Sequence, residues 1–255
     1  MTSAQQPHTL VITNDYPPRA GGIQTFVFEM VKRFDPNTVT VVTSNFAGAA
    51  EFDAQHPWQV LRAKGSVLLP TRRTRNLVSR ALQATGATQV VFGAAAPLGL
   101  LARWLRSQGV DTVVAMTHGH EVGWAATPVM RRAMRSIIRH ADWVTYLGQY
   151  TATRIQRSVR ASQHHKFRQL TPAVDPAEFT PENKQFGDVL RNSFGLAQRP
   201  VVVCVSRLMP RKGQDVLIKA MPLIQQTIPD VALVIVGTGP YLKTCLLYTS
   251  PSPRD

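Results

Sequence analysis

The sequence predicts an α/β fold of two lobes, each built on a parallel, doubly wound sheet. Three observations predict it. Short apolar runs alternate with segments at helical spacing, loops rich in Pro and Gly follow the runs, and the pattern stops over residues 171–198 and then restarts. Of the 255 residues, 44% are hydrophobic, which is enough for a packed core and excludes a chain disordered throughout.

Five strands are predicted before the break, because buried parallel strands are short, apolar and rich in β-branched residues. They cover Thr9–Thr13, Thr38–Thr43, Val90–Phe92, Val113–Met116 and Trp143–Leu147. Helices between them are predicted from apolar side chains three or four residues apart, over Ile23–Phe34, Leu98–Arg106 and Pro128–Ala141. In the last helix the side chains expected to face the core are Met130, Met134, Ile137 and Ile138.

After the break, the predicted elements are a strand over Val201–Ser206, a helix over Gln214–Thr227 and a strand over Val231–Val236. We therefore expect a Rossmann-like domain over residues 1–170, an interdomain linker over 171–198 and the start of a second, incomplete Rossmann-like domain over 199–244. Residues 245–255, CLLYTSPSPRD, interrupt the preceding helical pattern, and we expect them to be a non-native tail.

Cysteine content and hydropathy exclude several classes of protein. Cys204 and Cys245 are too few for a disulfide framework or a cysteine-based zinc site. The N-terminus lacks the pattern of a secretory signal, and the most apolar stretch, residues 90–101, is shorter than the roughly 20 residues of a membrane-spanning helix. We expect a soluble, cytoplasmic protein.

The net charge of +14 is concentrated in the first part of the chain, where residues 1–170 carry 20 basic and 8 acidic side chains. Such asymmetry predicts a polyanionic partner: a nucleic acid, an anionic lipid headgroup or a phosphorylated metabolite. A nucleic acid is disfavoured because no aromatic stacking platform or recognition motif accompanies the charge.

Arginines repeat every fourth residue along the predicted helix over residues 128–141, at Arg131, Arg135 and Arg139. A basic stripe of this kind can face anionic lipid, and further arginines at positions 72, 73, 75 and 80 favour that interpretation. The alternative is a solvated helix face with no partner.

Candidate binding residues follow the predicted strands. Gly21 and Gly22 follow the first strand and open a helix, where backbone N–H groups can meet a phosphate, although a plain turn is the alternative. The spacing is not GxGxxG, which disfavours a dinucleotide-dependent dehydrogenase.

The string Thr117-His118-Gly119-His120-Glu121 follows another strand. Its histidines are two residues apart, whereas a helical zinc pair needs them four apart, so hydrogen bonding to a hydroxylated substrate is favoured over metal binding. A structural histidine is the alternative for one of the pair.

In the second lobe, Arg207, Arg211 and Lys212 share one loop after a strand, and Gly237 follows the next strand. A guanidinium and an ammonium together suit a diphosphate, and a glycine permits close backbone approach to a nucleotide. A solvated basic turn is the alternative.

Five strings together carry a specific resemblance: TNDYPPRAGGIQTF, FGAAAPLGLLA, THGHEVGW, TPAVD and VSRLMPRKGQD. The sequence resembles the retaining GT-B glycosyltransferases of family four over residues 10–242, and most closely those of the PimB type. The resemblance implies transfer of mannose from GDP-mannose to an anionic phosphatidylinositol mannoside lipid at the inner face of the cell membrane, through peripheral contact. We expect no tightly bound cofactor, and the sequence does not require a divalent metal.

The resemblance also implies roles for individual residues. Gly21, Gly22 and Gly237 would lie at the donor, and Arg207 and Lys212 would clamp its diphosphate. His118 would be the catalytic-site histidine beside the transferred sugar. The residues expected near the sugar or the acceptor are Asp15, His120 and Glu121, and those expected to face the membrane are Arg131, Arg135 and Arg139.

Two departures from the family pattern affect these expectations. Ala173 occupies a position that is usually glycine, and the late Glu-rich motif that holds the nucleotide does not occur before residue 255. We therefore expect the chain to be an inactive fragment. Another nucleotide-sugar transferase of the family, a sugar-nucleotide epimerase of the same fold, and a lipid-headgroup binding module are the alternatives.

Overall fold

The computed structural model of the chain describes residues 6–196 and 198–249. These residues belong to two compact units, unit 1 up to Ala173 and unit 2 from Val174 onwards.

Unit 1 contains a seven-stranded sheet in which every neighbouring pair is parallel. Its strands are β1 (Thr9–Thr13), β2 (Val39–Thr43), β3 (Gln59–Arg62), β4 (Gln89–Phe92), β5 (Thr112–Met116), β6 (Trp143–Tyr146) and β7 (Phe167–Gln169). Their spatial order is β3-β2-β1-β4-β5-β6-β7, so the winding direction reverses between β1 and β4. In open α/β sheets, ligands bind outside the carboxyl ends of the strands at this reversal.

Helices cover both faces of this sheet. They are α1 (Gly22–Val31), α2 (Ala49–Asp53), α3 (Arg72–Thr85), α4 (Ala102–Ser107), α5 (Glu121–Ala126), α6 (Pro128–His140) and α7 (Gln149–Gln156). Leu10 belongs to a core cluster with Ile137 of α6, whereas its neighbour Val11 belongs to another cluster with Val27 of α1. Consecutive side chains of β1 therefore point to opposite faces, as the period of a strand requires.

Unit 2 contains a smaller parallel sheet. Its elements are α8 (Lys184–Ser193), β8 (Val201–Val205), α9 (Gln214–Thr227), β9 (Ala232–Val236) and α10 (Leu242–Thr249). Strand β8 pairs with β9 from Val201 opposite Ala232 to Val205 opposite Val236. Leu208, Ile218 of α9 and Cys245 of α10 form its buried cluster.

The predicted fold class is confirmed, because both units alternate parallel strands with helices. The seven predicted strands are all present, each with ends within one residue of the prediction. Strands β3 and β7 and helix α3 were not predicted. Among the described residues, no helix has both the length and the apolarity that crossing a bilayer requires.

One predicted side-chain position differs in the structure. The inward position predicted for Met130 is wrong: its side chain is 44% exposed, because residues 126–130, including the first turn of α6, all lie at the surface. The segment predicted as a linker over 171–198 contains α8. Within the predicted tail, α10 continues to Thr249 and Cys245 is buried, while residues 250–255 lie outside the described part of the chain.

Candidate functional site

The loop between β1 and α1 is held in place by a buried glutamine. Gln24, on the first turn of α1, donates from Nε2 to Oδ1 of Asp15 at 2.8 Å. A Cβ added at Gly21 would lie 2.2 Å from Oε1 of Gln24, so a side chain at that position would displace the Gln24 amide from its place beside Asp15. Gly22 has open space around it, and no steric requirement for glycine exists there. Gln24 thus fixes the Asp15 carboxylate, and glycine at position 21 leaves room for the Gln24 side chain.

His118 is the second residue after β5, and its ring contacts Gly93, the first residue after β4. Its Nε2 lies 2.6 Å from the carbonyl oxygen of Gly93, and its ring packs edge-on against Phe26 with 5.6 Å between ring centroids. Burial lowers the pKa of His118, and the Gly93 carbonyl together with the carboxylates of Glu121 and Asp15 offsets part of that effect. His118 is therefore neutral at pH 7.

Glu121 at the start of α5 is fully buried and touches both neighbouring histidines. Its Oε2 accepts the backbone N–H of His118 at 2.9 Å. Its Oε1 lies 3.2 Å from Nε2 of His120 but makes no hydrogen bond of regular geometry with any described residue. The Glu121 side chain has no exposed surface, whereas the His120 side chain is 42% exposed.

In unit 2, the predicted donor residues lie at the carboxyl ends of β8 and β9. Arg207 and Lys212 are exposed, and buried Gln214 donates to the carbonyl oxygen of Arg207 at 3.0 Å. Gly237 has φ 151°, and a Cβ there would lie 1.9 Å from the carbonyl oxygen of Ser206. The two loops are therefore packed together in a way that only glycine permits, and three exposed cations, Arg207, Arg211 and Lys212, lie in the loop after β8.

The three arginines predicted to face a membrane have different environments on α6. Arg131 donates to the carbonyl oxygens of Ala125 and Ala126, at 2.9 and 3.0 Å, and Arg135 donates to that of Ser158 at 2.5 Å. Arg139 is exposed, and its guanidinium has no hydrogen-bond partner in the described part of the chain. Two of the three guanidinium groups thus stabilise unit 1 itself, and their contact with a membrane stays a prediction.

A groove that the sequence did not predict lies between β3 and α3. Its volume is about 1190 Å³. Its wall includes exposed Val67 and Leu69 and no acidic residue, and its basic lining residues are Arg62, Lys64, Arg72, Arg73 and Arg80. Arg72 and Arg73 form the first turn of α3, where positive charge opposes the helix dipole. An anion at this turn would relieve that repulsion.

Unit 1 therefore brings together Asp15, Gly21, His118, His120 and Glu121 at the reversal of its sheet, while unit 2 carries Arg207, Lys212 and Gly237. Sequence reasoning missed three residues that fix these groups: Gln24, Gly93 and Gln214. A glycine directly after a strand was a usable signal for Gly93. No group of three or more His, Cys, Asp or Glu side chains within residues 6–196 and 198–249 is arranged to hold a metal ion.

Known proteins are similar to this chain in sequence and in fold. The family model Glycosyltransferase Family 4 matches residues 20–178, and Glycosyl transferases group 1 matches residues 188–248. The GDP-mannose-dependent alpha-(1-6)-phosphatidylinositol monomannoside mannosyltransferase of Mycolicibacterium smegmatis is 43% identical over 242 residues, which cover 92% of this chain and 62% of that protein. The corresponding enzyme for the monoacylated acceptor in Corynebacterium glutamicum is 41% identical over 239 residues.

Solved structures agree on the fold. HepE from Anabaena in complex with UDP aligns with a TM-score of 0.71 at 18% identity, over 94% of this chain and 65% of that one. The chain spans 62% of the length of the mannosyltransferases that it matches. Because one family model covers more than half of its residues, the chain belongs to glycosyltransferase family 4.

Proposed function

We propose that this chain is part of an enzyme that transfers mannose from GDP-mannose to a phosphatidylinositol mannoside, with retention at the anomeric carbon. The observation that carries the proposal is the 43% identity, over 92% of the chain, to a mannosyltransferase of that specificity. The 255-residue chain is inactive alone. The enzyme binds peripherally at the inner face of the cell membrane.

The basic loop of unit 2 supports the donor half of this proposal. When the bond between the anomeric carbon and the phosphate oxygen breaks, negative charge develops on the departing diphosphate. Exposed Arg207 and Lys212 can stabilise that charge, with Gln214 fixing the backbone of their loop. Because the charge is larger in the transition state than in the bound donor, these cations lower the barrier and do not merely tighten binding.

The residues at the strand ends of unit 1 support the part of the proposal that concerns the transferred sugar. His118 and Asp15 lie at the carboxyl ends of β5 and β1, beside the reversal of the sheet. They offer hydrogen-bonding groups to the hydroxyls of a hexose. The acceptor hydroxyl forms the new bond to the anomeric carbon, and its proton passes to the departing phosphate oxygen, so that no protein base is required.

The groove between β3 and α3 supports an acidic lipid as the acceptor. Its wall offers apolar surface at Val67 and Leu69 and the basic side chains of Lys64, Arg72 and Arg73, which have no hydrogen-bond partner in the described part of the chain. Arg62 also lines the groove but is already paired with Asp53. We place the lipid contact at this groove, ahead of the α6 arginines, because Arg131 and Arg135 are already bonded to backbone carbonyls.

A chimera tests the transfer reaction. The chain is joined after Leu242 to the remaining part of the M. smegmatis mannosyltransferase and supplied with GDP-mannose or UDP-glucose and a phosphatidylinositol monomannoside. We expect mannose transfer by the chimera and none by the 255-residue chain. His118→Ala should lower kcat/KM by about tenfold or more, equivalent to at least about 1.4 kcal/mol. His8→Gln, remote from the strand-end site, is the matched control.

Two outcomes would contradict this proposal. Transfer from UDP-glucose alone would indicate another nucleotide-sugar transferase of the family. No transfer by the chimera, under conditions in which the M. smegmatis enzyme is active, would remove the assignment altogether.

Vesicle sedimentation tests the lipid contact with the chain alone. Vesicles containing phosphatidylinositol should bind the chain, and vesicles of phosphatidylcholine should not. Replacing Arg72, Arg73 and Arg80 by Gln removes three charges worth about 1 kcal/mol each near an anionic surface, a loss on the order of a hundredfold in partitioning. The control variant, Arg132→Gln with Arg139→Gln, should keep most of the binding. The opposite ranking would place the lipid contact on α6.

A further inference from the structure

Gly93 holds the ring of His118 through a group that can only accept a hydrogen bond. The carbonyl oxygen of Gly93 lies 2.6 Å from Nε2 of His118. A carbonyl has no proton to donate, so Nε2 must carry one. Because burial lowers the pKa of His118, the neutral ring has no second proton, and Nδ1 keeps its lone pair. No described residue makes a hydrogen bond with Nδ1.

The Gly93 carbonyl is itself fixed by β1. The N–H of Gly93 donates to the carbonyl oxygen of Ile12 at 3.0 Å, which extends the pairing between β1 and β4 by one residue. A Cβ at position 93 would lie 2.7 Å from Oγ1 of buried Thr13, so the backbone can approach β1 this closely only as glycine. The oxygen that holds the His118 ring thus has a defined position.

Glu121 fixes the backbone of His118. Its buried carboxylate accepts the backbone N–H of His118 at 2.9 Å, where the chain leaves β5 and turns into α5. The charged or titratable groups facing His118 are Glu121, His120 and, from the loop after β1, Asp15. His118 is therefore held at its backbone by a carboxylate and at its ring by a carbonyl.

We propose that Gly93 and Glu121 are positioning residues that hold His118 as the Nε2–H tautomer, so that Nδ1 is presented as the hydrogen-bond acceptor for a sugar hydroxyl. Only the identity of the ligand rests on the proposed function; the tautomer follows from the protein alone. A hydroxyl fits this nitrogen because it has a proton to donate. An ionised phosphate or carboxylate oxygen has none, so its lone pairs would be repelled by the lone pair of Nδ1.

Nitrogen-15 NMR of the labelled 255-residue chain at neutral pH tests the tautomer, with His118→Gln identifying the His118 signals. We expect a protonated Nε2 and an unprotonated Nδ1. A protonated Nδ1, or the averaged signals of a tautomer mixture, would overturn the proposal. This measurement does not depend on mannose transfer, so failure of the chimera and failure of this proposal are distinguishable.

Variants of Glu121 test its positioning role. Glu121→Gln keeps an oxygen that can accept the His118 N–H but removes the charge, so the tautomer should persist while the pKa of His118 falls further below its usual value. Glu121→Leu removes the acceptor and should produce a tautomer mixture. Glu51→Gln, on exposed α2, is the charge control and should change neither signal.

Glu121→Gln keeps the test decisive if Glu121→Leu does not fold. An unchanged pKa of His118 in Glu121→Gln would show that the carboxylate does not act on this ring. A single retained tautomer in a folded Glu121→Leu would equally remove Glu121 from the proposal.

Discussion

Strands of similar sequence lie in different surroundings in the two units. All five residues of β2, VTVVT, are buried inside the seven-stranded sheet of unit 1. In β8, VVVCV, no residue is fully buried, and Val203 and Val205 are 59% and 73% exposed. An apolar, β-branched run thus predicts a strand in both places, but its burial depends on the neighbouring strands and on the helices over each face.

The candidate ligand-binding side chains also differ between the units: those of unit 1 are held by hydrogen bonds, and those of unit 2 are exposed. In unit 1, His118 and Asp15 each have a hydrogen-bonded partner that fixes them. In unit 2, the side chains of Arg207 and Lys212 are exposed, and only the backbone of their loop is held. If the proposed function holds, unit 1 would present preorganised groups to a sugar, whereas the long cations of unit 2 would become ordered only when a diphosphate binds.

The largest expected contrast concerns ion pairs. Arg62 in unit 1 is nearly buried, holds Asp53 through two bonds of 2.7 Å and donates to the carbonyl oxygens of Ser44 and Pro17. Arg62→Met should lower the free energy of unfolding of unit 1 by about 3 kcal/mol or more, because the Asp53 carboxylate loses its partner. Urea unfolding followed by tryptophan fluorescence measures this, since all four tryptophans belong to unit 1.

The matched variant in unit 2 is Lys219→Met. Lys219 lies 3.9 Å from Asp215 with 55% of its side chain exposed, and pairs of this kind contribute about 0–1 kcal/mol. Hydrogen exchange in unit 2 should therefore change little. Equal losses from the two variants would show that burial does not distinguish the pairs.

A smaller contrast compares two valines. Val41 of β2 is fully buried, and Val41→Ala should destabilise unit 1 by about 2 kcal/mol through lost burial and the cavity that remains. Val205→Ala on exposed β8 should change the stability of unit 2 by about 0.5 kcal/mol or less. Hydrogen-exchange protection of each strand measures both effects. A large loss of protection in β8 would show that a partner covers Val205 in solution.

The sequence predicted those strands and helices that have a clear pattern of apolar residues along the chain. The strand over residues 9–13 and the helix over residues 214–227 agree with the structure at both ends. Strand β3 was missed because it is a four-residue edge strand with partly exposed side chains, and α3 was missed because four arginines obscure its apolar face. Met130 has the spacing of the buried residues of α6, but it lies in the first turn of that helix, which is exposed.

Candidate site residues could be predicted where polar side chains come soon after a predicted strand. The placement of His118 needed only a strand end and a polar string. The burial of Glu121 and the hydrogen bond between Gln24 and Asp15 were not predictable, because both depend on contacts that only the assembled sheet creates. The groove was missed for the same reason: its walls come from β3 and α3, neither of which was predicted.

The smallest expected contrast is the pH dependence of stability. All seven histidines lie in unit 1, and burial lowers the pKa of both His118 and His8 below the ordinary value of 6.5. Below that value, the unfolded chain binds protons that these folded side chains do not. Unfolding is then favoured by acid, so unit 1 should lose stability as the pH falls below about 6.5. Unit 2, which has no histidine, should lack this dependence.

His118→Gln separates the two histidines in this measurement. The variant keeps an N–H that can reach the Gly93 carbonyl but cannot titrate, so the slope of stability against pH should become shallower without vanishing, because His8 still contributes. Urea unfolding of unit 1 over a pH series, monitored by tryptophan fluorescence, provides the slope. An unchanged slope would mean that His118 binds its proton equally in the folded and unfolded states, which is incompatible with a ring held neutral against Gly93.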